Sequence, residues 1–87
     1  MNVTIDCTVM VDEASVHDTF ASALNSPAHY GRNLDALYDL LSTCPPTDLK
    51  LTNAGALNRM FRYGENLKLT LEDAARANPE LTLIFEE

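Results

Sequence analysis

The 87-residue chain is short of bases: six Lys and Arg stand against thirteen Asp and Glu, for a net charge of −7. Holding nucleic-acid phosphates takes clustered Lys and Arg, so direct nucleic-acid binding is not expected. A basic partner drawn in by charge fits the balance, and solubility alone explains it too. No stretch approaches the roughly 18 apolar residues of a membrane span. The start, MNVTIDCTVMV, has no basic segment and is interrupted by Asp6. No signal peptide is read there, and a cytoplasmic protein is the expectation. Cysteine is scarce. Cys7 and Cys44 are expected as reduced thiols rather than a disulfide framework. His17 and His29 stand too far apart for one local metal site, and no metal or cofactor is expected.

What is present reads as one domain spanning 1–87. Val3, Ile5, Cys7, Val9 and Val11 alternate, the period of a strand. Asp12 has the side chain of a helix cap, and Val16, Phe20 and Leu24 form an apolar stripe on a helix over 13–25, ended by Ser26-Pro27. A loop follows over 27–33, with Gly31 supplying a turn and Asn33 capping a second helix that starts at Leu34 and stops before Cys44-Pro45-Pro46. Residues 49–52 read as a short strand and 54–62 as a helix carrying Leu57, Met60 and Phe61. Gly64 reads as its stop, Glu65–Ala77 as a further helix, and LTLIF at 81–85 as a strand buried on both faces. Helical crossovers between strands imply a three-stranded parallel α/β sheet packed with about four helices.

One five-residue pattern, Tyr-Gly-x-Asn-Leu, occurs twice, at Tyr30–Leu34 and Tyr63–Leu67. Both copies read as a helix start, with Gly at the turn and Asn as the cap. They diverge afterwards. On a wheel at about 100° per residue, Leu34, Leu37, Leu40 and Leu41 share one half, and Asp35, Tyr38, Asp39 and Ser42 share an outward arc. Asp35 and Asp39, one turn apart, repel each other by a few tenths of a kcal/mol. No Lys or Arg lies between Asn33 and Leu49 to offset them. An acid beside an aromatic ring suits a basic partner, with a charge to pair and a ring to bury. A plain solvated face is the simpler alternative. The second copy continues with Lys68, Leu71 and paired alanines, the face of a packing helix.

Pro27–Ser42, PAHYGRNLDALYDLLS, resembles the signature of the barstar family of intracellular ribonuclease inhibitors. The element order is similar to the barstar fold, and a weaker likeness extends through Val16, Phe20, Leu24 and LTLIF. The resemblance implies a proteinaceous inhibitor that binds one to one and plugs the active site of a basic ribonuclease, or of a toxin's ribonuclease domain, in the same cell. It also implies a protein that is monomeric when free. Asp39 would mimic RNA phosphate among the enzyme's cations, and Asp35 would pair with a base or backbone donors at the rim. Tyr38, standing where relatives often have Trp, would cover the pocket mouth. Ser42, in place of a Thr, would add a hydrogen bond. Tyr30, Gly31 and Asn33 belong to the loop that shapes the contact. His29 stands where a second Tyr is common, and Arg32 where Glu is common. The Trp often found after the helix is absent, with Cys44-Pro45-Pro46 in its place. Asp73 matches a family acid that draws in the enzyme, whereas Ala77 lacks a second one. The altered rim implies a different cognate partner.

Two other functions compete. Catalysis by Asp35 and Asp39 would need a cleft with a substrate between them, and two acids on one convex helix surface do not provide it. Two ligands one turn apart would also leave most of a cation's coordination sphere to water. A barstar-like interaction module whose target is not a ribonuclease stays open, because a fold does not fix a function.

Overall fold

The computed structural model describes residues 1–25 and 29–87. The Ser26-Pro27 helix stop and the start of the following loop lie outside the described residues. Three strands, β1 (Asn2–Asp6), β2 (Thr47–Thr52) and β3 (Leu81–Phe85), alternate with helices α1 (Glu13–Ala23), α2 (Leu34–Ser42) and α3 (Arg62–Ala77). Short 3₁₀ segments occupy Cys7–Val9 and Ala54–Met60. The sheet is parallel in the order β1-β2-β3, with Ile5 opposite Leu51 and Leu51 opposite Phe85. No helix among the described residues is long and apolar enough to cross a membrane.

Both crossovers step the same way along the sheet, so their common right hand carries both helical segments to one face. Val3, Ile5, Leu49, Leu51 and Leu81 point into that layer and are buried. They meet Val16 and Phe20 of α1, Leu37 and Leu41 of α2, and Leu67, Leu71 and Ala74 of α3. The other face of the sheet is open. For that reason β3, expected to be buried on both faces, is an edge strand with Thr82 and Ile84 exposed.

The first strand is shorter than its alternation suggests. Asp6 accepts hydrogen bonds from the Thr8 backbone (3.0 Å) and hydroxyl (2.8 Å) and from Asn53 Nδ2 (3.0 Å). It thereby caps the 3₁₀ turn that ends the strand. Cys7 and Met10, three apart, then face inward while Val9 and Val11 stand exposed. Burial pushes the Cys7 thiol up to about 11, so it is a small hydrophobe rather than a nucleophile. Asp12 caps α1 through a reciprocal pair with Ser15.

The segment 54–60 is 3₁₀ rather than α. Leu57 and Met60 are buried, but Phe61 takes a left-handed φ of 54° and stands 81% exposed. Gly64 is not a stop. It lies inside α3, where an added Cβ would come within 2.1 Å of the Leu57 carbonyl oxygen. Asn66, expected as a cap, is likewise inside that helix.

Candidate functional site

The acidic helix α2 is held at both ends by asparagines. Asn33 has extended backbone, and its Oδ1 accepts from the Ala36 N–H at 2.7 Å, satisfying a donor at the helix start. At the other end Asn78, buried beyond α3, donates from Nδ2 to the carbonyls of Leu41 (3.0 Å) and Cys44 (3.2 Å). Its Oδ1 accepts from the Glu80 N–H at 3.0 Å. One side chain thus ties the end of α2 to the α3–β3 turn. Nothing in the local pattern singled out Asn78 beyond its place in a turn. Asn33→Ala is expected to cost about 1 kcal/mol, a fall of about 4–8 °C in Tm for a domain of this size. Asn33→Asp should restore the loss, and thermal melting reads both.

Leu37 and Leu41 are fully buried, so the opposite arc of α2 faces out. Asp35 and Asp39 are exposed. Among the described residues no cation pairs with either carboxylate. Tyr38, read from the wheel as an exposed ring, is half-buried because its ring packs against the core. The Ser42 hydroxyl donates to the Asp39 carbonyl at 3.2 Å within the helix. Asp73 lies on the exposed side of α3 and forms an ion pair with Arg76.

Asp39 lines a cavity of about 340 Å³ together with His29, Tyr30, Gly31, Ala36 and Leu40. The structure therefore gathers four of the residues singled out from sequence, His29, Tyr30, Gly31 and Asp39, around one hollow. Asp35, Tyr38, Ser42, Asn33 and Asp73 are not part of its lining.

The loop that forms this wall turns at Arg32, with φ 56°, and not at Gly31, whose φ is not positive. Gly31 instead lets the loop lie close to the helix: a Cβ there would sit 3.2 Å from the Ala36 methyl. The guanidinium of Arg32 pairs with Asp18 and donates to the Ala14 carbonyl at 3.4 Å. Its charge is therefore partly offset by a carboxylate of α1.

Behind the loop lies His17, only 1% exposed. Its Nδ1 is 2.7 Å from the Tyr30 hydroxyl and its Nε2 is 2.7 Å from the Tyr63 hydroxyl. The two tyrosines are the first residues of the two Tyr-Gly-x-Asn-Leu stretches. From the sequence, His17 stands out only as a candidate metal ligand too far from His29 to share a local site with it. Its place next to Val16 and three before Phe20, on the inward face of α1, was the available signal. Burial pushes both phenols up to about 12, which keeps both hydroxyls protonated at neutral pH.

No curated protein matches the chain. The family profile described as Barstar (barnase inhibitor) matches residues 1–86. This three-stranded parallel α/β chain, with its acidic helix and capped loop, belongs to the barstar family, a family of inhibitors rather than enzymes.

Proposed function

We propose that the chain inhibits a basic ribonuclease, or a ribonuclease-type toxin, by seating α2 and the loop before it in the enzyme's active site. The observation that carries this is the Asp39 carboxylate, exposed, without a cation among the described residues, on the wall of a cavity shared with Tyr30. A pocket built of Arg, Lys and His for RNA phosphate accepts a fixed carboxylate in the same position. Asp39 is then the phosphate mimic. Asp35 pairs at the rim, and the half-buried Tyr38 ring covers the mouth of the pocket. Ser42 adds a hydrogen bond once its hydroxyl leaves the Asp39 carbonyl. The cavity beside Asp39 receives a side chain of the enzyme, with His29, Tyr30 and Gly31 as its walls and Asn33 holding the helix start. Asp73 joins the contact by exchanging Arg76 for a base of the enzyme. The complex is one to one in the cytoplasm, and the free protein is a monomer.

Purified chain titrated into barnase cleaving RNA tests this. If barnase shares the cognate enzyme's cationic pocket, its activity is expected to vanish at one equivalent. Association should slow at least about tenfold from low to high salt, as attraction between an acidic and a basic surface is screened. Barnase working at full rate beside an excess of the chain would remove it as a target. If other basic ribonucleases gave the same result, an interaction module with a different target would remain.

A further inference from the structure

We propose that His17 is the positioning residue of the loop 29–33, a clamp that joins Tyr30 to the start of α3 through one hydrogen bond at each ring nitrogen. The consequence for inhibition rests on the function proposed above; the clamp itself does not.

Three observations carry it. His17 is buried between Val16 and Phe20 and spends both ring nitrogens on phenols from two other elements, each at 2.7 Å. A buried imidazole costs stability unless it is hydrogen-bonded, and an apolar side chain would fill the space without that cost. Tyr30 belongs to two structures at once, because it lines the cavity beside Asp39 while its hydroxyl is held by His17. Finally, another side-chain tie of the loop, Arg32 to Asp18 and the Ala14 carbonyl, also ends on α1 but is exposed. The His17 tie is the buried one of these two, and the one that reaches α3.

The chemistry of the ring makes the clamp directional. A neutral imidazole has one N–H and one lone pair. It donates to one tyrosine and accepts from the other. An imidazolium donates at both nitrogens, so the hydroxyl proton that pointed at the ring must turn away. The groups facing the ring are Glu13 and Asp18 of α1, Arg32 of the loop, Tyr30, and Tyr63 of α3. Burial outweighs the attraction of Glu13 and holds the imidazole below its ordinary 6.5. As pH falls below 6.5 the unfolded chain binds the proton first. The stabilisation is therefore complete above 6.5 and declines below it, toward the lower folded value.

The test uses Tyr63→Phe, which removes a hydroxyl absent from the cavity lining, and His17→Leu, which keeps an apolar filling and removes both bonds. In the free protein, amide exchange of residues 29–33 is expected to accelerate about tenfold in Tyr63→Phe. Protection in the sheet should be kept. The double variant should loosen the loop no more than His17→Leu alone. Loop exchange in the wild type should step up below pH 6.5 after correction for intrinsic rates, and His17→Leu should lose that step. Dissociation from barnase should quicken by a similar factor in Tyr63→Phe, with association unchanged. If His17→Leu does not fold, Tyr63→Phe and the wild-type pH step decide the matter. Loop protection unchanged in Tyr63→Phe, or lost equally at every amide, would overturn the clamp. A loosened loop in a chain that fails to bind barnase supports the clamp and counts only against barnase as the target.

Discussion

Asp39→Ala should weaken the complex with barnase by about 30- to 5,000-fold, the roughly 2–5 kcal/mol lost when one partner of a buried charge pair is truncated. Most of the loss is expected in dissociation, because the contact forms after encounter and the remaining acids still steer approach. The enzyme's cations, built to face phosphate, would be left buried and unpaired. Stability should move the other way. Asp39 is exposed and without a cation among the described residues. Removing it relieves its repulsion with Asp35, a gain of a few tenths of a kcal/mol. Asp35→Ala relieves the same repulsion but should cost about 1 kcal/mol or less in binding, as exposed rim pairs do. Titration calorimetry with a thermal melt on each variant reads both quantities. An Asp39→Ala protein that binds as tightly as the wild type would end the phosphate-mimic reading.

Gly64→Ala should destabilise the fold by about 2–3 kcal/mol, although helix propensity argues the opposite. Alanine in a helix interior is favoured over glycine by about 1 kcal/mol. At Gly64 the new methyl would meet the Leu57 carbonyl oxygen at 2.1 Å and its carbon at 3.0 Å. Those are backbone atoms, so no rotamer change relieves them. Either α3 moves away from the segment before it or the 3₁₀ turn deforms, and a clash with backbone this close belongs at or above the top of the usual overpacking range, about 3–4 kcal/mol against the gain of about 1. The clash wins, and Tm should fall by about 10–20 °C for a domain of this size. Gly55→Ala is the control. Its Cβ would meet Glu87 Oε1 at 2.9 Å, the end of a flexible side chain that can swing aside. Chemical denaturation of both variants gives the comparison, and a Gly64→Ala protein as stable as the wild type would refute the close-approach account.

The repeated pattern shows how far local reading reaches. For the first copy, the extended backbone of Asn33, its bond to the Ala36 N–H and the helix from Leu34 to Ser42 follow the sequence closely. Capping is a matter of three or four neighbouring residues, so the chain carries its own instructions there. For the second copy the same letters fall inside a helix that starts at Arg62. The reason is non-local: Gly64 is wanted for the nearness of Leu57, and Tyr63 for the ring of His17. The same limit explains β3. Its apolar run is compatible with burial on two faces, but strand order leaves one face of the sheet open.

Sequence alone therefore determined the order of strands and helices, the start of α2, its buried leucines and the two acids opposite them. Each depends on periodicity or on hydrogen bonds spanning a few residues. Tertiary structure alone decided that Tyr30 and Tyr63 meet at one buried histidine, that Asn78 holds the end of α2, and that Arg32 rather than Gly31 makes the left-handed turn. Those outcomes depend on which distant surface arrives beside a residue. A local pattern carries no record of that, because buried polar groups take their partners from whatever the packed fold brings within reach.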